Sequence, residues 1–462
     1  MALRSRYIDK RVLLIALTFL NHPPRKWHRE NILFIHTDAS IKRSCFELIK
    51  ALMTKSSSSS SPSSSFSQTL HQGMTASEVL ERAEKIVLKF GSSLVCRPDG
   101  DVRKAQLLAF AQDIADLRAQ GKQVIIVTSG AVALGRGQLD LDATNSSLRL
   151  DEKQAAAAAG QIPLVQAWQS ALAPHDHSVA QILLTMEDTE NRKRYLNART
   201  TMETLLGFGI IPLVNENDTM ATEEIRYGDN DRLAAHTAQM IGADLLVLLS
   251  DIDGLYNGNP TANPNAKHIP LVPQINEEIS TYAQGRNEET GMGSGGMITK
   301  ISAAQIATNA GASVIVADGQ ADNPDTNSHN PPLKAIRKGV SKSTLFLPVV
   351  KALTARQQWI SGRQKPTGKV IIDNGAARAL ADGASLLPAG IKELSGSFQL
   401  GDLISVESQQ GQIIGLGLAS YNSEEIEAIK GLHSEETEAV LGYRRRPAFI
   451  HRDDLVLKNF SG

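Results

Sequence analysis

The sequence predicts an α/β fold: a three-layer sandwich with a mostly parallel central sheet, followed by a small β-rich C-terminal domain. Three observations predict it. Strand-length apolar runs alternate with helix-period segments through most of the chain. The runs are apolar throughout rather than at every second position, as expected of strands covered on both faces. Nearly every polar cluster falls just after such a run, where open parallel sheets bind their ligands.

Taken in order, "KIVLKF" (85–90) is a buried strand ended by "GSS". Helical periodicity covers 103–120, and Gly121 punctuates it. "QVIIVTSG" is a second buried strand. "DEKQAAAAAGQIPLVQAWQSALAP" is a long alanine-rich helix with Pro163 as a candidate kink. "SVAQILLT" is a strand, 188–206 a helix and "GIIPLVNEND" a strand. A helix over 229–241 precedes the strand "ADLLVLLSD", and a helix over 296–309 precedes the strand "ASVIVAD". After about Leu347 short strands and turns take over. The expected organisation is an N-terminal extension over 1–83, largely disordered, a main domain over 84–347, a linker over 348–368 and a β-rich domain over 369–457. No repeat with a period of 20–50 residues is visible.

The chain has 462 residues and a net charge of -1, spread unevenly. Residues 1–73 hold 11 Lys/Arg against 4 Asp/Glu, which leaves the body acidic and unlike a general nucleic-acid binder. That leading stretch carries a short apolar run, "VLLIALTFL", well under the roughly 20 residues needed to span a bilayer. It then carries the serine tract "SSSSSSPSSSFSQ", which cannot build a core. Two readings stand: an organelle transit peptide, or a start placed too early, with Met74 the true beginning. The two cysteines, Cys45 and Cys96, give no disulfide framework or metal cluster. They fit a reducing compartment, so a cytoplasmic location is expected, with organelle targeting by 1–73 as the alternative.

Four strand ends could carry chemistry. "LKFGSS" puts Lys89 at the end of a buried strand, where lysine rarely sits without a partner. "VTSGAVALG" puts Ser129 and Gly130 at a helix start, where free N–H groups attract anions. "NENDT" and "YGDND" crowd Asn215, Asp218, Asn230 and Asp231 into two neighbouring turns. "LLSDIDGLY" places Ser250 and Asp251 at a strand exit. Each has an ordinary explanation taken alone: Ser129 or Asp229 as a helix cap, Lys89 as a snorkelling strand end, "NEND" as a turn. All four, however, share one edge of one sheet.

A fifth cluster, "GMGSGGMITK", matches G-x-G-x-x-G at Gly291, Gly293 and Gly296. A dinucleotide fingerprint follows a strand directly, whereas here the preceding "STYAQGRNEET" has no apolar run. Nor is it a P-loop, since Lys300 follows Thr299 rather than glycine. A glycine loop whose N–H groups cradle phosphate oxygens fits better, with Lys300 one turn into the next helix, reaching charge on a transferred phosphoryl group.

In order, "KIVLKFGSS", "VTSGAVALG", "IIPLVNENDT", "YGDNDRLAA", "LLVLLSDIDGLY", "GMGSGGMITK" and "GYRRRPAFIHRDDLV" resemble the glutamate 5-kinases of the amino acid kinase family, with a tail similar to a PUA module. The likeness covers about 85–456. It implies the amino acid kinase fold and phosphoryl transfer from ATP to the side-chain carboxylate of L-glutamate, giving L-glutamyl 5-phosphate, the first step of proline biosynthesis. It implies Lys89 and Lys300 around the transferred group and Asp231 orienting them. Ser129, Asp218, Asn230 and Asn215 match glutamate positions. Lys89, Ser250, Asp251, Ser294, Gly295, Gly296, Met297, Ile298, Thr299 and Lys300 match ATP positions, with Ser250 in place of the commoner threonine. Mg²⁺ should accompany ATP, held mainly by phosphate and water. Proline as feedback inhibitor, an assembly of identical subunits and hand-over of the product to glutamyl phosphate reductase are further implications. PUA modules often bind RNA, but residues 369–457 hold 8 Lys/Arg against 13 Asp/Glu, a poor match to a phosphate backbone. A regulatory or assembly role is expected for the tail, and no membrane partner. The polar segment "VADGQADNPDTNSHNPPLKAIRKGV" is longer and more polar than expected after the last large strand of such a fold.

Overall fold

The computed structural model describes residues 74–97, 99–141, 148–220, 229–260, 262–282, 296–320, 322–323, 328–329, 331–349, 365–443 and 447–457. Residues 1–73, Tyr227, Gly228, Ser294, Gly295 and the arginines of "YRRRP" lie outside that set.

Residues 76–82, read from sequence as the end of a largely disordered extension, are instead helical. Thr75 and Glu78 form a reciprocal capping box on α1 (Ala76–Arg82), whose Val79 and Leu80 are buried in the main core. At its other end Lys122 donates to the carbonyls of Leu80, Glu81 and Ala83 at 3.1, 2.7 and 2.7 Å. An ammonium is well suited to these last carbonyls of a helix.

The strands then enter one eight-stranded sheet. They are β1 (Lys85–Phe90), β2 (Gln123–Thr128), β3 (Val179–Leu184), β4 (Ile211–Glu216) and β5 (Leu245–Ser250). A hairpin of β6 (Leu255–Tyr256) and β7 (His268–Ile269) stands apart, before β8 (Leu271–Val272), β9 (Ser313–Asp318), the antiparallel pair β10 (Asp322–Asn323) with β11 (Ser328–His329), and β12 (Ser343–Phe346). The order is β3-β4-β2-β1-β5-β9-β12-β8. All pairs from β3 to β9 are parallel, and β12 runs antiparallel to β9. Residues 86–90 of β1 and all of β5 are buried, which explains their unbroken apolar character. Within the polar segment after β9, the described residues form the antiparallel pair β10–β11 and a short helix, Pro332–Arg337.

Helices cover both faces. The helix α2 (Ser92–Val95) follows β1 at once, and α3 (Lys104–Ala119) follows it. Next come α4 (Ala131–Gln138) and α5 (Leu150–Leu172), the latter running through Pro163 as one helix. The stretch expected as one helix over 188–206 is two, α6 (Met186–Glu190) and α7 (Arg192–Gly207). Asn191 separates them because it leaves helical geometry and caps α7 through Arg194 N. Helices α8 (Asp229–Ile241), α9 (Glu277–Thr281) and α10 (Met297–Asn309) complete this set.

Two glycines fix how α4 meets α5. A Cβ on Gly135 would lie 1.7 Å from the Ala156 carbonyl oxygen, and one on Gly160 1.8 Å from that of Ala131. Backbone cannot yield as a flexible side chain can, so any side chain there forces the helices apart. That matters for chemistry, because α4 begins next to Ser129 and α5 carries Gln161. Below them Phe90, Phe110 and Trp168 pack with ring centroids 4.5 and 4.9 Å from Phe90, and Trp168 Nε1 donates to Thr128 Oγ1 at 3.0 Å.

The tail is a separate five-stranded sheet, β14-β13-β15-β16-β17, of β13 (Gly368–Ile372), β14 (Ile391–Ser395), β15 (Leu403–Ser408), β16 (Ile413–Leu418) and β17 (Leu455–Leu457). Its core includes Val370, Phe398, Tyr421 and Phe449. Leu403 and Leu418 of this sheet pack on Leu196 of α7.

Candidate active site

β1, β2, β4 and β5 all end at the same edge, with Phe90 in register with Thr128 and Leu249. This parallel register delivers Lys89, Ser129, Asn215 and Ser250 to one rim. Helices α8 and α10 add their first turns.

The centre is Asp231, 1% exposed, in the first turn of α8, where the helix dipole favours a carboxylate. Lys89 Nζ lies 2.6 Å from its Oδ1 as an ion pair, and Lys300 Nζ lies 3.3 Å from its Oδ2. Thr299 Oγ1 donates to Oδ2 at 2.8 Å. Both lysines are buried, at 6% and 2% exposure, so Lys89 does not snorkel. Burial alone would raise the Asp231 pKa, but the ammonium groups of Lys89 and Lys300 outweigh it and hold the carboxyl down at about 2. Burial lowers the Lys300 pKa against the pull of Asp231, and the Lys89 charge adds to the lowering. Two cations held in a dry site by one carboxylate form a receptor for concentrated negative charge.

Beside this cluster, Gly130 adopts φ +115 and heads α4 without a side-chain cap. Ser129 is therefore not the cap. Its Oγ accepts from Asn230 Nδ2 at 2.8 Å. Asn230 Nδ2 also reaches Asn215 Oδ1 at 3.4 Å, and Asn215 is 3% exposed. Asp218 opens the 3₁₀ turn Asp218–Met220 after β4, and burial raises its carboxyl to about 6. Ser129, Asn215 and Asn230 are thus joined directly, with Asp218 three residues beyond Asn215.

On the other side, Ser250 is buried, and its Oγ has no hydrogen-bond partner among the described residues. Asp251 is exposed and lines a cavity of about 160 Å³ with Gly254, Tyr256, Asn259, Tyr282 and Met297. Gly296 precedes α10 with no side-chain cap, and Ile298 in its first turn is exposed. Open N–H groups at such a helix start favour anions. Sequence reasoning missed Gln161 of α5 and Gln181 of β3, which extend the amide chain behind Asn215. A lone glutamine on an alanine-rich helix gives no signal of that.

The amino acid kinase family model matches residues 84–318, and the PUA domain model matches 368–441. The chain is 51% identical over 380 residues to a glutamate 5-kinase of Paramagnetospirillum magneticum, covering 82% of this chain and 99% of the relative. It is 52% identical over 378 residues to that of Caulobacter vibrioides, covering 82% and 97%. It is 49% identical over 387 residues to glutamate 5-kinase 1 of Rhizobium meliloti, covering 84% and 95%. With half of its length matched by the family model and relatives this similar over most of it, the chain belongs to the amino acid kinase family, in its glutamate 5-kinase branch.

Proposed function

We propose that this protein transfers the γ-phosphoryl group of ATP to the side-chain carboxylate of L-glutamate, giving L-glutamyl 5-phosphate and ADP, the first step of proline biosynthesis. The observation that carries the reading is the pair of buried ammonium groups meeting on Asp231 at the sheet edge. The attacking carboxylate is an anion near pH 7 and needs no general base. One of its oxygens bonds to the γ-phosphorus as the bond to the β-γ bridging oxygen breaks, and that electron pair leaves with ADP. Catalysis then rests on in-line positioning and on neutralising spread negative charge. Lys89 and Lys300 supply the positive charge, and Asp231 keeps two like charges adjacent.

Ser129, Asn215, Asp218 and Asn230 hold glutamate in this reading, with Asp218 on the α-ammonium. Ser250, Asp251, the run 294–300 and Lys89 hold ATP, and the cavity beside Asp251 takes the nucleoside end. Among the described residues no three His, Cys, Asp or Glu side chains are grouped to hold a metal ion. Asp231 is already engaged by two lysines and Thr299. The residues thus suit a Mg²⁺ that arrives with ATP, held by phosphate oxygens and water, where it would neutralise phosphate charge. Finer parts of the same proposal are proline as inhibitor at or overlapping the glutamate pocket, an assembly of identical subunits, and delivery of the acyl phosphate to glutamyl phosphate reductase. A cytoplasmic location and a regulatory or assembly tail are also proposed, with an extension that ends before α1, a catalytic domain that includes α1 and runs to 347, 348–368 as linker and 369–457 as tail. Among the described residues no helix is long and apolar enough to cross a membrane.

A coupled ADP assay with L-glutamate, L-aspartate and N-acetyl-L-glutamate side by side tests the activity. ADP release should depend on glutamate and exceed that with N-acetylglutamate by at least about 100-fold, as expected when a buried polar anchor loses its partner, and that with aspartate, whose reacting carboxylate falls one methylene short, by at least about 10-fold. Faster turnover of N-acetylglutamate or aspartate would overturn the assignment.

A further inference from the structure

The polar residues behind the substrate side form one hydrogen-bonded chain with a direction. Gln161 on α5 donates from Nε2 to the main-chain carbonyl of Glu216 at 3.5 Å. Its Oε1 accepts from Gln181 Nε2 at 2.9 Å and from Asn215 Nδ2 at 3.4 Å. Asn215 Oδ1 accepts from Asn230 Nδ2 at 3.4 Å, and the same Nδ2 donates to Ser129 Oγ at 2.8 Å. Asn230 Oδ1, buried, has no hydrogen-bond partner among the described residues.

An amide presents a donor at one end and an acceptor at the other, and each can turn over if nothing fixes it. Here the Glu216 carbonyl fixes the first. A carbonyl oxygen only accepts, so Gln161 must offer it Nε2 and turn Oε1 toward Asn215. Asn215 must then offer Nδ2 to Gln161 and Oδ1 to Asn230. Asn230 must spend Nδ2 on Asn215 and Ser129, which leaves Oδ1 as the atom available to a ligand. We propose that Gln161 is a positioning residue that sets, through Asn215, which end of Asn230 faces the substrate, so that the pocket offers an acceptor suited to a free α-ammonium group.

The logic extends to selectivity. With Oδ1 forward, Asn230 and the Asp218 carboxylate are both acceptors, matching an ammonium with three donors and no acceptor. Reversed, Asn230 would present an amide donor and oppose that cation. Released from its anchor, it would sample both. The inference rests on the glutamate kinase reading, and its test separates the two. If wild-type protein does not phosphorylate glutamate, that reading fails. If it does, the Gln161 variants judge the relay alone.

The measurement is steady-state kinetics on the full chain with glutamate, plus competitive inhibition by glutarate, which has both carboxylates but no amino group. Gln161→Met, of similar length but without polarity, should raise the KM for glutamate about tenfold, the effect of losing one hydrogen bond to a charged group. The KM for ATP and the inhibition constant of glutarate should stay within about twofold. Gln161→Glu still accepts from Asn215 but sets a carboxylate oxygen against the Glu216 carbonyl, so its KM for glutamate should fall between those of wild type and Gln161→Met. Should the Met variant not fold, Gln161→Ala takes its place, since Gln161 is half-buried and alanine suits a helix. A glutamate KM within twofold of wild type in the Met or Ala variant would overturn the proposal. So would a glutarate constant rising in step with it, which would mark general distortion of the pocket, or a Gln161→Glu variant as impaired as Gln161→Met.

Discussion

Two buried charge triads in this molecule are near mirror images. In the site one carboxylate, Asp231, lies between two ammonium groups, Lys89 and Lys300. Between the kinase domain and the tail one guanidinium, Arg199 of α7, lies between two carboxylates, Glu203 at 2.8 Å and Asp454 at 2.9 Å. Counted over these three side chains alone, each triad is out of balance by one, with opposite sign; Asp251 also acts on Lys300, and His451 on Asp454. What differs is water. The side chains of the site triad are 1–7% exposed, whereas Glu203 and Asp454 are 19% and 13% exposed. The excess negative charge of the second triad is partly solvated, so that triad can serve as a clamp. The excess positive charge of the first is held dry, at a cost that makes sense where an anion is to be bound. Their carboxyls respond accordingly. Burial raises the Asp454 pKa against the opposing charge of Arg199, whereas at Asp231 two cations overcome burial. With a folded value near 2 below the unfolded 3.8, Asp231 contributes stability above pH 3.8 that is lost as pH falls toward 2. Asp454, raised, shifts stability in the opposite direction, and its ionisation penalty is relieved in acid.

If this contrast is right, damage to the two triads separates activity from stability. The largest effect should come from Lys300→Met or Lys89→Met. On the proposed reading each removes one charge facing the transferred phosphoryl, so kcat should fall by about 10³ with the thermal midpoint little changed, because the neutral variant also ends a like-charge contact. Turnover within tenfold of wild type would break the comparison. Next, Asp231→Asn leaves two buried cations without their carboxylate. Stability should drop by about 3 kcal/mol in urea titration, with kcat reduced as well. Arg199→Met should cost a similar amount, about 3 kcal/mol, through two carboxylates left facing each other. Its kcat and both KM values should remain within about threefold of wild type. If Arg199→Met instead lowers kcat as Lys300→Met does, the clamp is coupled to chemistry and the division fails.

How far the sequence revealed these two triads follows from their physics. Lys89 stood out because an ammonium at the end of an apolar strand demands a partner, and Lys300 because it follows a glycine run. Asp231 lies in a cluster of amides and acids after an apolar strand. Local anomalies of this kind can be read without coordinates, as can the unbroken apolar strands that parallel pairing requires. The clamp gave no local sign. Arg199 and Asp454 lie 255 residues apart, each in an ordinary polar context. The Gln161 relay was hidden for the same reason: a glutamine on a half-exposed helix face is common, and only its hydrogen bonds with Asn215 and Glu216 of β4 give it a direction. The break at Asn191 was missed because periodicity continues across it, while a single capping side chain decides the geometry.

The smallest effect tests the rim of the site rather than its centre. Asp218 differs from Asp231 in having no cation beside it among the described residues, and burial raises its pKa from 3.8 to about 6. A carboxyl raised in this way binds its proton more tightly when folded, so the empty protein gains stability as pH falls through 6 toward 3.8, and Asp218→Asn should stabilise it slightly at pH 7. Ligand binding works the other way. With Asp218 on the α-ammonium, as proposed, binding needs the ionised form, so glutamate must expel the proton below pH 6. The KM for glutamate should therefore rise toward tenfold per pH unit below about 6, while the KM for ATP stays nearly flat over the same range. Calorimetry at pH 6 in buffers of different ionisation enthalpy should register about half a proton released per glutamate bound, and none in Asp218→Asn. A KM for glutamate that is flat from pH 7 to 5 would mean that the α-ammonium is held elsewhere, and the acceptor pair assigned to Asp218 and Asn230 would have to be redrawn around Asn230 alone.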